Sequence, residues 1–108
     1  MAAVFVVNTP SQAIPQNGAT HTQRTVANTS VNILDHTLQT DTTHALVQFN
    51  NADIRVTFDG STAATTSLGF LFTDGSSAYW TRKMLQNAKG IRTAGTDVIV
   101  EIQELSYR

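Results

Sequence analysis

Apolar and polar residues alternate most regularly near the middle of the chain, over residues 53–59. In an extended segment Ile54, Val56 and Phe58 lie on one face and polar residues on the other, which is typical of a half-buried β-strand. The sequence Asp-Gly-Ser-Thr at residues 59–62 ends this strand, because Asp accepts hydrogen bonds from nearby backbone and Gly adopts positive φ without steric cost. The pattern predicts a strand and a turn around which the chain is organised.

A second apolar strand is predicted after this turn, at residues 66–72. It places Leu68, Phe70 and Phe72 on one face. The sequence Asp-Gly-Ser-Ser at residues 74–77 predicts a second turn of the same kind.

Two hairpins are predicted on either side of this central segment. Residues 44–49 alternate in the same way and are joined to residues 53–59 by a short Asn-Asn connection, which predicts that the two strands pair. Residues 91–93 and 98–105 are predicted to pair around a turn at residues 94–97.

The remaining segments carry weaker patterns. Residues 21–35 indicate one or two short strands, and residues 78–85 indicate another, although residues 81–88 also allow a helical turn. Residues 11–20 are small and polar, with two breakers, and predict a mobile loop or extended linker. The chain begins with an uncharged β-forming run that predicts an edge strand or an arm, formed by Val4, Phe5, Val6 and Val7.

Length and composition agree with this list of strands. The chain has 108 residues, 17 of them Thr and 7 Ser, and Thr is β-branched and suits the polar face of a sheet. We predict an all-β, single-domain antiparallel β-sandwich of about eight short strands, resembling a jelly roll. The sandwich domain is expected over residues 21–108, and residues 1–20 are expected to form an N-terminal arm and linker.

Charge and cysteine content exclude several classes of function. The net charge is −1 and 14% of residues are charged, so no direct binding to nucleic acid is expected. The absence of Cys excludes disulfides, thiolate metal sites and a cysteine nucleophile. The chain has no long apolar run and no charged leader, so we expect a soluble protein with no membrane contact and no export signal.

The search for catalytic and metal-binding patterns favours a protein that is not an enzyme. Three histidines, His21, His36 and His44, lack the spacing of a metal site, and we expect them to be solvated. No Gly-x-Ser-x-Gly elbow or phosphate-binding loop is present, and no cofactor is expected. Four aspartates fall at predicted turns, where Asp normally caps backbone, with a calcium site as the alternative: Asp53, Asp59, Asp74 and Asp97.

Tyr79 and Trp80 are the candidate binding residues of the second half of the chain. Basic residues lie near them, at Arg82, Lys83, Lys89 and Arg92. Basic side chains interleaved with aromatic ones are typical of platforms that bind single-stranded nucleic acid or sugars. The alternative is that Trp80 belongs to the core or to a contact between subunits, with the charges balanced by nearby carboxylates.

Three segments resemble small structural proteins of tailed bacteriophages. They are Ala-Asp-Ile-Arg-Val-Thr-Phe-Asp-Gly-Ser-Thr at residues 52–62, Leu-Gly-Phe at 68–70 and Ile-Arg-Thr-Ala-Gly-Thr-Asp at 91–97, followed by the last strand. The resemblance covers residues 44–105. It implies a virion protein that decorates or cements a capsid, with the major capsid protein or other virion subunits as partners and a homotrimer as its assembly. It also implies a location in the virion.

The N-terminal run fits this interpretation as a contact with a partner. An uncharged strand that is separated from the domain by prolines can add to the sheet edge of another chain. The alternative is that Val4 to Val7 form an inner strand of their own sandwich. A carbohydrate-binding module built on Tyr79 and Trp80, or a tail or neck component of the virion, is the alternative function.

Overall fold

The computed structural model describes residues 13–15 and 20–107, with side chains described over residues 20–106. The predicted arm of Val4, Phe5, Val6 and Val7 lies outside the described residues. In chain order the elements are β1 (Ala13–Pro15), β2 (His21–Val26), β3 (Val31–Asn32), β4 (His44–Asn50), β5 (Ile54–Thr57), β6 (Phe70–Phe72), β7 (Ser77–Thr81), α1 (Arg82–Asn87), β8 (Lys89–Arg92) and β9 (Val98–Tyr107).

The strands form two antiparallel sheets. The first sheet has the order β2-β9-β4-β7. β1 pairs with the end of β9, on the same side of β9 as β2. The second sheet has the order β3-β8-β5-β6. The predicted all-β sandwich is therefore confirmed, and its strand order is that of an eight-stranded jelly roll.

The pairing is nested around the central turn. β5 pairs with β6, β4 with β7, β3 with β8 and β2 with β9, so the chain forms one long hairpin that is folded over into two layers. The connection between β5 and β6 is the tip of that hairpin. The segment that the alternating pattern placed at the centre of the chain is thus the centre of the topology.

Both of the hairpins predicted on either side of the centre are wrong. β4 belongs to the first sheet and β5 to the second, so these two strands do not pair. Likewise β8 belongs to the second sheet and β9 to the first. Asn51, between β4 and β5, has a positive φ of 80°. Its side chain donates to the backbone oxygen of Asp97 over 3.1 Å, so the two crossings between sheets lie side by side.

Two further segments differ from expectation. Within the predicted linker, Ala13–Pro15 forms a strand that pairs with the end of β9, Ala13 opposite Tyr107. Residues 82–87 form the short helix that was the alternative to a strand, because the Thr81 hydroxyl caps it by accepting from the backbone N–H of Met84 over 3.1 Å.

The core lies between the two sheets and is built from the inward positions of the strands. Ile54 and Val56 of β5 are fully buried, as the alternation predicted. Four aromatic rings fill one side of the core, where Phe49, Phe58 and Phe72 surround Trp80. In the described part of the chain no helix is long and apolar enough to cross a membrane.

Candidate functional site

The candidate site is an apolar surface at the edge strand β6 and the loop before it. Three of the large exposed apolar side chains of the described residues lie here: Leu68 is 50% exposed, Phe70 is 68% exposed and Leu71 is 48% exposed. Leu68 and Phe70 line a groove of about 650 Å³ together with Val56 and Phe58, whereas Leu71 lies on the other face of β6. Exposed apolar side chains that adjoin one another mark interaction surfaces in soluble proteins.

The backbone of β6 adds to this surface. Among the described strands, β6 has a neighbour, β5, on one side only. Its outer side therefore presents backbone N–H and C=O groups that another strand can pair with. An apolar edge of this kind is the usual acceptor for strand addition.

The other edges of the sandwich differ in chemistry. β2 carries His21 and Arg24, and β7 alternates hydroxyl residues with Tyr79 on its exposed face. β3 has only two residues. Polar and charged side chains and short length are the features that protect sheet edges from unwanted pairing. β6 is also short, with three residues, but it lacks polar and charged side chains because those residues are Phe, Leu and Phe.

Both faces of β6 are apolar. Phe70 and Phe72 lie opposite Val56 and Ile54, so they point to the core side of the sheet, whereas Leu71 lies opposite Arg55 on the outer side. The ring of Phe70 reaches the rim of the core, where its centroid is 5.9 Å from that of Phe58. The exposed surface is therefore continuous with the aromatic core.

Gly69 fixes how closely the loop approaches β5. Its φ is +128°, and a Cβ at this position would lie 3.0 Å from the backbone N of Val56 and 3.1 Å from its O. The Arg55 side chain donates from Nη1 to the Gly69 oxygen over 3.0 Å. Glycine is required here because both the conformation and the space exclude a side chain.

The turn at residues 59–62 forms the other wall of the groove. Asp59 Oδ1 accepts from the backbone N of Ser61 and of Thr62, over 3.0 and 2.8 Å, and Oδ2 accepts from the Thr62 hydroxyl. Hydrogen bonds from the Thr62 side chain, and then from the backbone of Thr62 and Ser61, lower the pKa of Asp59 to about 2. The carboxylate is the one charged group among the lining residues.

Three of the four aspartates predicted to cap backbone do so, whereas Asp97 pairs with an arginine side chain. Besides Asp59, Asp53 Oδ1 accepts from the backbone N of Asp74 and Asp74 Oδ1 from that of Asn51, each over 2.8 Å. Asp97 accepts from Arg92 Nη1 over 2.6 Å. Within the described residues no group of three or more His, Asp and Glu side chains could hold a metal ion.

The proposed platform of Tyr79 and Trp80 is not formed. Tyr79 is 47% exposed on the outer face of the first sheet, whereas Trp80 is 1% exposed and lies in the core, as the alternative interpretation had it. Consecutive residues of a strand point to opposite faces, so these two rings cannot stack on one ligand. That argument was available from the sequence.

The basic residues near this strand mostly bind other parts of the domain. Arg82 Nη1 donates to the backbone oxygens of Gln39 and Thr42, over 2.7 and 2.9 Å. Lys89 Nζ donates to Asn32 Oδ1 over 2.9 Å. Arg92 binds Asp97, as described above, so these cations hold loops in place.

The expectation of three solvated histidines is wrong for His44, which is 5% exposed, and burial lowers its pKa. His36 Nε2 lies 3.1 Å from Oε2 of the buried Glu104. His21 is exposed and its Nε2 lies 2.8 Å from Glu101 Oε1. The hydrogen bond to Glu101, and then that to Gln103, raises the pKa of His21.

Among the side chains that the structure describes, Glu104 is the fully buried carboxylate. Its Oε1 accepts from the Thr42 hydroxyl over 2.6 Å and from the backbone N of Gln39 over 2.9 Å. Burial acts to raise the pKa of Glu104, but the hydrogen bonds from Thr42, Gln39 and His36 together outweigh it and the pKa is lowered. The alternation of residues along β9 predicts that position 104 faces the core. It does not show which groups donate hydrogen bonds to the carboxylate.

The surface at β6 was not found from the sequence, although a signal was present. A half-buried strand alternates apolar and polar residues, yet residues 70–72 read Phe-Leu-Phe and are apolar on both faces. Such a strand is normally covered on both sides.

Comparison with protein families, with characterised proteins and with solved structures found no match to this chain.

Proposed function

We propose that this chain is a non-enzymatic structural protein of a bacteriophage particle, which binds and stabilises the outer surface of the head as a homo-oligomer. The observation that carries the proposal is the exposed apolar edge at β6, in a domain whose sequence segments resemble small structural proteins of tailed bacteriophages. The central segment of that resemblance, residues 52–62, supplies β5 and the turn beside the groove.

The chemistry of the edge suits permanent assembly. Leu68, Phe70 and Leu71 expose apolar area that is unfavourable in water, and because each side chain is about half to two-thirds exposed, burying the rest of it contributes about 1–2 kcal/mol before ordering costs. The low charge of the chain removes repulsion between copies packed in a symmetric shell. Obligate interfaces are more apolar than transient ones, and the surface at β6 is apolar in the same way.

Particles assembled without the chain test the proposal. They should lack outer density that returns when purified protein is added, and they should lose resistance to heat. Re-addition of Phe70→Asp should fail, because a charge at the edge opposes burial. Re-addition of Thr25→Asp, an exposed position on the opposite edge of the sandwich, should restore the density. Particles that are unchanged by loss of the chain contradict the proposal.

A tail or neck component with the same fold is the nearest variant of this proposal. The same reconstructions decide between them, because density at the neck or along the tail, with none on the head, assigns the chain to that position.

Glycan binding is a second candidate, favoured by one row of side chains on the outer face of the first sheet. Tyr79, Leu46 and Gln103 lie opposite one another on β7, β4 and β9, followed by His21 on β2. An exposed ring beside amides and an imidazole offers stacking and hydrogen bonds to a sugar. A glycan array with the wild type and with Tyr79→Ser tests it, and a signal that survives the substitution rules out this face.

A further inference from the structure

We infer that the β6 edge of one copy receives residues 4–7 of a second copy as an added strand. The inference rests on the proposed homo-oligomer and names what covers its apolar edge. It joins two β-forming segments, the outer side of β6 and the run Val-Phe-Val-Val that precedes the described residues.

The first described strand lies far from the β6 edge of its own copy. Ala13 pairs with Tyr107 on the β2 side of β9. β2 lies at one lateral edge of the first sheet and β7 at the other. Ring contacts place β6 next to β7, because Phe72 lies 5.8 Å from Trp80. The described chain therefore starts on the side of the sandwich opposite to the β6 edge.

The length of the connection supports a neighbouring copy. Residues 8–12 separate the run from Ala13, and fully extended they span about 20 Å. A path around the sandwich to its own β6 must cover about 14 Å of sheet width and about 10 Å between the layers, with the side chains in addition. Even straight across the end of the sandwich these spacings combine to about 17 Å, so the connection to its own β6 would have to be almost fully extended, whereas a neighbouring copy can present its β6 edge without that constraint.

The chemistry of donor and acceptor matches. The run has no charged residue, and only Asp59 is charged among the residues that line the groove. In a strand, Val4 and Val6 face one side and Phe5 and Val7 the other, so the run is apolar on both faces. β6 is also apolar on both faces, through Phe70 and Leu71. An alternating strand would place polar side chains against one of those faces.

The arrangement determines the kind of oligomer. Donor and acceptor are different segments of the chain, so each contact is head to tail. Such contacts close into a ring when the rotation between copies allows it, and a ring of three is the homotrimer that the resemblance implies. A two-fold pairing of two β6 strands would leave the N-terminal run unused.

Cysteine cross-linking tests the contact, because the chain contains no Cys. Phe5→Cys in one tagged copy and Phe70→Cys in a differently tagged full-length copy are mixed and oxidised. We expect the disulfide between the two tags to form severalfold more than with Thr25→Cys, the exposed control on the opposite edge. Equal yields, no disulfide, or a disulfide formed only within a chain carrying both Phe5→Cys and Phe70→Cys would overturn the inference.

A deletion provides a second measurement. Removal of residues 1–8 should preserve the cooperative melt and convert the oligomer to monomer in light scattering. Loss of the melt would show that the run belongs to its own core and would overturn the inference. Cross-linking in solution without attachment to particles supports the inference and contradicts the proposed function. Attachment to particles without cross-linking supports the proposed function and contradicts the inference.

Discussion

The ring of Phe58 meets the indole of Trp80 edge-on, with centroids 5.0 Å apart and planes at 89°. Phe58 also contacts the exposed ring of Phe70, with centroids 5.9 Å apart. The aromatic core of the sandwich therefore reaches the surface at the candidate site. Substitutions of Phe58 and of Phe70 can separate effects on the stability of the domain from effects on its assembly.

Phe58→Ala should lower the free energy of unfolding by about 2–4 kcal/mol, because it removes a half-buried ring from the core cluster. Phe70→Ala is the matched control, since it removes the same ring from a position that is 68% exposed, and it should change monomer stability by about 0.5 kcal/mol or less. Chemical unfolding followed by the fluorescence of Trp80, the single Trp, measures both. Equal losses would contradict this assignment of roles.

Gly69→Ala should destabilise the domain by about 1–3 kcal/mol, because φ is +128° and the new Cβ meets the Val56 backbone. Gly95→Ala is the control, as its Cβ would meet nothing within 4 Å. Thermal unfolding of both variants measures the difference. We also expect Gly69→Ala to weaken oligomerisation, since the loop that borders the groove must shift. A Gly69 variant as stable as the Gly95 variant would show that the loop moves without cost.

Glu104→Gln should cost about 2–4 kcal/mol, because the amide places a donor among groups that donate to the carboxylate. The lowered pKa of Glu104 means that its stabilising contribution is complete above the ordinary carboxyl range and is lost as pH falls through the folded-state pKa. Urea unfolding between neutral and acid pH should show a smaller acid loss in Glu104→Gln than in the wild type. The exposed Asp41→Asn serves as control and should keep the acid loss of the wild type.

The carboxyl group of Asp59 should titrate at about pH 2 in a carbon-detected NMR titration. The hydrogen bonds from Thr62 and Ser61 favour the ionised form, so the turn should keep its shape until the pH approaches that value. Thr62→Val removes the side-chain donor and should move the midpoint upward. A midpoint that does not move would assign the lowered pKa to the backbone donors alone.

The local features of the fold were predictable, because they depend on a few adjacent residues. The alternation at β5 predicted the burial of Ile54 and Val56, and both Asp-Gly turns have the positive φ expected, +81° at Gly60 and +84° at Gly75. The partners of each strand were not predictable in this way. An alternating strand has the same pattern in either sheet. Closeness along the chain therefore favoured the pairing of β4 with β5, although the chain crosses from one sheet to the other between them.

The candidate site was less predictable than the fold. The exposure of Phe70 depends on where the opposite sheet ends, which no local pattern contains, and the sequence placed Phe70 and Phe72 on one core face. Both side chains point to that face in the structure, but Phe72 packs on Trp80 whereas Phe70 lies at the exposed rim. The burial of Glu104 depends likewise on donors that are 62 and 65 residues away in the chain.

The nested pairing also determines an order of folding. Ile54 and Phe72, at one end of the innermost pair of strands, are 18 residues apart, whereas His21 and Gln103 in the outermost pair are 82 residues apart. Closing a long loop costs more chain entropy than closing a short one, and each inner pair shortens the loop that the next must close. We therefore expect β5 and β6 to form first and the strands to add outward, with slow folding overall because most pairs are distant in sequence. The hairpin that forms first is the one that carries the exposed edge, so newly made chains present that edge before the rest of the sandwich exists.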